Sequence, residues 1–184
     1  MKKVLLLFVL ITYIINIEII AQNGYEQEKV IQAQGKSVES IYKALKTWFV
    51  ENAEYDSRNI IQIDNPDEGV LMGKSNIGIS FTGMATLAMS GNISFIIDIK
   101  IKEGRFKVHF YQFSHQRGNL SHAASWDQGT VYMEMPEKIP SGKTWAFKTF
   151  HKKAIPLLNE WCNNAFNEME QKVKNYTDKE NEDW

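Results

Sequence analysis

Four histidines, one cysteine and a scatter of carboxylates are the side chains here that could do chemistry, and their spacing decides which chemistry is open. His109, His115, His122 and His151 are the candidate metal ligands or general bases. His109 and His115 fall on one face of an alternating stretch, six residues apart. That is about 20 Å at the rise of a strand, too far to share one ion. His115 and His122 can approach through a loop, but no cysteine or paired carboxylate stands at ligand spacing from them. Ser114-His115 and Ser121-His122 are not Ser–His pairs, because neighbours on a strand point to opposite faces, and there is no GxSxG elbow. Gly78, Gly83 and Gly91 lack the spacing of a phosphate loop and the helix behind it. Asp64, Asp67 and Glu68 do not follow the calcium-loop pattern and read as a polar turn. Asp98 and His109 are the one cross-strand acid–imidazole pair, read as a solvated contact worth about a few tenths of a kcal/mol. Cys162 is the only cysteine. It rules out an intramolecular disulfide and, on an apolar helical stripe, reads as a buried thiol. The expectation is a chain with no catalytic site, no bound metal and no cofactor.

The elements that position these side chains centre on residues 92–115, NISFIIDIKIKEGRFKVHFYQFSH. Alternation predicts two long strands joined at Glu103-Gly104, a two-residue loop that suits a type I′ hairpin. Ile101 then meets Phe106, Ile99 meets Val108, and Ile97 meets Phe110, all on one face continued by Ile93 and Phe95. The other face pairs Asp98 with His109, Lys100 with Lys107, and Lys102 with Arg105. A slip of one residue would turn the charged set into the core, so the register is strongly specified. Away from the turn the polar face becomes apolar, with Ile96 expected opposite Tyr111 and Ser94 opposite Phe113.

Around the hairpin, Lys29–Ala33 reads as a first strand closed by Gly35. Ser37 is placed to cap a helix whose apolar stripe is Val38, Ile41, Tyr42, Leu45, Trp48 and Phe49. Asn59–Ile63 reads as a second strand with Ile61 and Ile63 on one side. A breaker-rich turn at 65–69 leads to a third strand, Val70–Lys74. Ser75–Gly91 reads as an edge strand running into a mobile loop, and Val131–Met135 as one more short strand. From Phe147 an apolar phase runs through Phe150, Ala154, Leu158, Trp161, Ala165, Met169 and Val173. It continues across Pro156, so the spacing predicts one kinked helix.

The first residues read as a targeting segment. Lys2 and Lys3 precede the apolar run Val4–Ile15, and Ala21-Gln22 is a cleavage point. Asn16 and Glu18 interrupt the run before the roughly 20 residues of a membrane span. Residues 1–21 are therefore expected to be a signal peptide, 22–174 a single domain and 175–184 a charged tail. At 43% hydrophobic and 23% charged residues the composition is globular. Loss of Lys2, Lys3 and Glu18 takes 21 basic and 22 acidic side chains to 19 and 21, a net charge of −2. That balance, with export, argues against a nucleic-acid partner. The expected location is periplasmic or extracellular, with no stable membrane span after signal removal.

Gly35, Ser37, Tyr42 and Trp48-Phe49, then Gly69 and Gly73, then Lys102-Glu103-Gly104-Arg105-Phe106-Lys107 with Phe113 after it, resemble one known group. This is the exported Bacteroidetes family called domain of unknown function 4468, and the resemblance covers residues 28–115. Glu103 stands where the family more often has aspartate, and residues 116–142 have no counterpart. The resemblance implies a TBP-like α+β fold: a curved antiparallel sheet in β-α-β(4)-α order with helices packed on one face. It does not imply DNA binding, since a fold name carries no site.

The functional expectation is a non-catalytic binding or interaction module whose partner is a protein or glycan. The alternative is a carrier of a small apolar ligand held between the C-terminal helix and the sheet. Ile96, Tyr111 and Phe113, with His109 and Lys107 at their edge, form the expected contact patch, unless Gln116–Met135 folds back over them through Trp126.

Overall fold

The structure, a computed structural model, describes residues 24–52, 61–118 and 126–177. The expected signal peptide and His122 lie outside them. The elements are β1 (Gln27–Gln32), α1 (Val38–Asn52), β2 (Ile61–Asn65), β3 (Val70–Ile79), the single-turn α2 (Met84–Leu87), β4 (Gly91–Lys102), β5 (Arg105–Arg117), β6 (Gly129–Thr130) and α3 (Thr144–Asn175). One antiparallel sheet runs in the order β1-β5-β4-β3-β2, with β6 added to the far end of β5. Helices α1 and α3 pack together on one face. The fold is α+β in the expected strand and helix order.

Near its turn the central hairpin has the register that alternation predicts. Lys102 pairs with Arg105, Ile101 with Phe106, Ile99 with Val108, Ile97 with Phe110 and Ile96 with Tyr111. The turn itself differs. A type I′ turn needs two left-handed residues, but of Glu103 and Gly104 only Gly104 has a positive φ, 67°. The tip is fixed from outside instead. Ala33 N–H donates to the Gly104 carbonyl (2.8 Å) and Gly104 N–H to the Lys36 carbonyl (3.1 Å), which ties it to the β1–α1 connection.

Further along, the register shifts. After Ile96–Tyr111 the next pair is Ser94–Ser114, so Gln112 and Phe113 together oppose Phe95. Gln112 sits at φ 57°, the only described non-glycine residue with positive φ. An extra residue in one strand exchanges the two faces beyond it. Phe106, Val108 and Phe110 point inward before the bulge; Phe113 and His115 point inward after it, each about 1% exposed. The expected Ser94–Phe113 pair is therefore absent, and His109 and His115 lie on opposite faces.

Smaller corrections have the same origin. A bulge between Ile61 and Ile63 sends Ile61 toward Gly73 and the core, but Ile63 out opposite Met72. Residues 70–79 form one strand, since β4 pairs with all of it and carries it past Lys74. The last short strand is Gly129–Thr130, and Tyr132 only bridges to Gly24.

The helices bury the expected stripes. Ser37 Oγ accepts from Ser40 N–H (3.1 Å) and caps α1, which buries Ile41, Tyr42, Leu45, Trp48 and Phe49. Pro156 lies inside α3, where it deprives the Lys152 carbonyl of its donor. The buried row from Phe147 to Val173 runs through it without a break. Between α3 and the sheet, Phe110 lies 5.4 Å from Trp161 and 5.0 Å from Phe166, and Phe95 stacks on Phe113 at 4.8 Å. Each such ring contributes about 1.5–3 kcal/mol by leaving water, which is large against a total of about 5–15 kcal/mol.

Candidate functional site

Helices cover one face of the sheet, whereas the other carries no helix among the described residues. The alternation of β4 and β5 places Ile96, Asp98, Lys100 and Lys102 there, beside Lys107, His109 and Tyr111. β3 adds Met72 and Lys74, and β1 adds Glu28 and Val30. This open face is mixed in polarity and only partly exposed.

Of the expected contact residues, Ile96 and Tyr111 are cross-strand partners on this face and half-buried. The His109 ring stacks on Tyr111 at 4.7 Å with 19° between planes. Its Nε2 lies 3.1 Å from Glu26 Oε2. Asp98, the expected partner of His109, turns instead to Lys100 Nζ at 3.5 Å, with its Oδ1 buried and unpartnered. Lys107 Nζ donates to Glu28 Oε2 at 2.9 Å. This contact holds the Glu28 carboxyl below the usual carboxylate range. Phe113 leaves the open face, because the bulge has moved it into the core, and it borders the surface only in the lining of the depression beside the bulge. Trp126 does not fold back over the open face; it packs inside against His115, Phe147 and Phe150.

The bulge also shapes the surface. β1 pairs with β5 as far as Phe110, and β6 takes over at Ser114, which leaves Tyr111 and Gln112 without a neighbouring strand on the side away from β4. In this gap is a depression of about 460 Å³ lined by Gly24, Tyr25, Glu26, Tyr111, Gln112, Phe113, Ser114 and Thr130. Glu26, Gln112 and Thr130 are site residues that sequence reasoning does not find. The gap depends on one left-handed glutamine, and only Gly or Asn there would have signalled that backbone.

Two buried groups lie on the covered side. His115 Nδ1 accepts from Gln128 N–H (3.1 Å), which puts the proton of the neutral ring on Nε2. That Nε2 faces the Met89 carbonyl but meets hydrogen-bond geometry with no described group. Burial holds this imidazole below its ordinary range, against the pull of Asp127. Cys162 is about 1% exposed, and burial pushes its thiol up to about 12. Among the described residues no three His, Cys, Asp or Glu side chains gather as a metal site.

The curved antiparallel sheet with both long helices on one face is the architecture of TBP-like domains, and the solved structures it resembles agree. A TBP-like protein from Parabacteroides distasonis ATCC 8503 superposes with a TM-score of 0.61 at 11% identity, over 84% of this chain and 95% of that one. A DUF4468 family protein from Bacteroides ovatus ATCC 8483 gives 0.57 at 13% identity, over 79% and 86%. Residues 28–116 match the family "Domain of unknown function (DUF4468) with TBP-like fold". No curated protein matches the chain.

Proposed function

We propose that this protein is an exported, non-catalytic binding module whose working surface is the open face of the sheet around Tyr111. The observation that carries the reading is the depression beside the Gln112 bulge, on the face that the helices leave open. A half-buried tyrosine ring braced by His109 offers rigid contact area at low entropic cost. Gln112, Ser114, Thr130 and Glu26 surround it with amide, hydroxyl and carboxylate groups. An apolar ring beside such a set suits a glycan, whose C–H face stacks and whose hydroxyls hydrogen-bond. A non-catalytic role is favoured because His109 is already engaged on its ring face by Tyr111 and at Nε2 by Glu26. Export rests on the N-terminal pattern, Lys2-Lys3 before Val4–Ile15. The apolar-carrier alternative is disfavoured, since the seam between α3 and the sheet is filled by Phe95, Phe110, Trp161 and Phe166.

A glycan array probed with the protein and with Tyr111→Ala tests the reading. At least one glycan should bind the parent and lose about tenfold or more in the variant, which stays folded under the conditions of the array. Equal binding by both, or a protein ligand that ignores Tyr111, sinks it.

A further inference from the structure

We propose a second site at the other end of the same face, on the hairpin tip, for an amphiphilic anion: a carboxylate, sulfate or phosphate on an apolar body. It stands independently of the Tyr111 depression. Lys100 lies directly opposite Lys107, and Lys102 directly opposite Arg105. Four cations therefore share a patch roughly 5 Å by 7 Å at the backbone. Like charges placed opposite each other destabilise a strand pair, so this arrangement is not explained by stability.

The counter-charges are lopsided. Asp98 serves Lys100 at 3.5 Å and Glu28 serves Lys107 at 2.9 Å, both from the row next to the patch and away from the turn. Among the described residues no carboxylate pairs with Lys102 or Arg105, and Glu103, exposed in the turn between them, pairs with neither. The uncompensated charge sits at the tip. Beneath it lies a depression of about 340 Å³ lined by Val30, Lys100, Lys102, Arg105, Phe106 and Lys107. Val30, paired with Lys107 from β1, is 51% exposed and forms an apolar floor. Lysine stems lie along apolar surface with their charged heads at the rim.

This geometry selects among anions. The volume falls at the small end of the range for small-molecule sites, about 300–1,000 Å³, and exceeds what a bare inorganic anion fills. A polyanion needs a continuing basic track, but the next row is Asp98, His109 and Glu28. A single anionic head between Lys102 and Arg105, with an apolar body over Val30, fits both constraints.

The test is a titration of the isotope-labelled protein with dodecyl phosphate below its micelle concentration, followed by amide resonances. Shifts should concentrate at Val30, Lys100, Lys102, Arg105 and Lys107, saturate, and weaken as salt is raised. Dodecyl maltoside and inorganic phosphate, which each carry half of the probe, should bind about tenfold more weakly or worse. The double variant Lys102→Gln, Arg105→Gln should lose about tenfold or more, with its unfolding midpoint unchanged or raised. Equal binding of the maltoside, equal binding of inorganic phosphate, or full affinity in the double variant overturns the proposal. So does binding confined to phosphatidylglycerol vesicles, which would make the tip a membrane contact instead.

Discussion

The two halves of β5 are built from the same kinds of residue, yet they obey opposite rules. From Arg105 to Tyr111 the even positions enter the core; beyond the bulge the odd positions Phe113 and His115 do. The turn half has paired strands on both sides, β4 and β1, which hold each residue to its face. The far half changes neighbours from β1 to β6, and Gln112 absorbs the mismatch in a left-handed backbone. A sheet edge that changes partner is thus where a register can slip and a depression can open.

The largest expected effect tests the exchange of faces directly. Phe110→Ala and Phe113→Ala, one on each side of the bulge, should each cost about 3–5 kcal/mol in chemical denaturation. Tyr111→Ala, on the open face between them, should cost under about 1.5 kcal/mol. If Phe113→Ala proved as mild as Tyr111→Ala, the bulge would be misplaced.

A second test uses pH and only the far half. Above about 6.5, the ordinary histidine value, His115 is neutral both folded and unfolded. As pH falls below it, the unfolded chain takes up a proton that the buried ring resists. Stability should therefore fall, by at most about 1.4 kcal/mol per pH unit, until the pH drops below the depressed folded value. His115→Phe should flatten that part of a stability–pH profile; an unchanged slope would place the titration elsewhere.

Smaller effects sharpen the contrast. Gln112→Gly removes the left-handed penalty and should stabilise by up to about 1 kcal/mol, read as a shift of the urea midpoint. A loss there would mean that the side chain, not the backbone, holds the bulge. In the turn half, Lys100→Ala should change stability by less than about 0.5 kcal/mol, since the lysine itself is exposed, its contact with Asp98 is long at 3.5 Å and its facing charge is Lys107.

The turn half was legible in the sequence because alternation is a local signal. Ile97, Ile99, Val108 and Phe110 declare their face by period alone, and Ser37 and the stripe after it declare α1. The far half was not, because nothing in Tyr111-Gln112-Phe113 distinguishes regular alternation from a bulge. There the choice is made by non-local packing, Phe113 against Phe95 and Tyr25, with ring centroids 4.8 Å apart in both cases. Ile61 and Ile63 were misread for the same reason. Of the contact patch, Ile96, Tyr111, His109 and Lys107 follow from the regular register, whereas Glu26 and Thr130 arrive from segments that sequence alone could not bring beside them.

The lone thiol has a practical consequence. Cys162 sits on the inner side of α3, and Tyr25, whose hydroxyl donates to Asn159 Oδ1 (2.7 Å), contributes to its environment. At neutral pH it stays protonated and out of reach of alkylating reagents. A reagent can trap it only when the helical layer parts from the sheet. The labelling rate of this one atom then becomes a clock for how often the covered face opens.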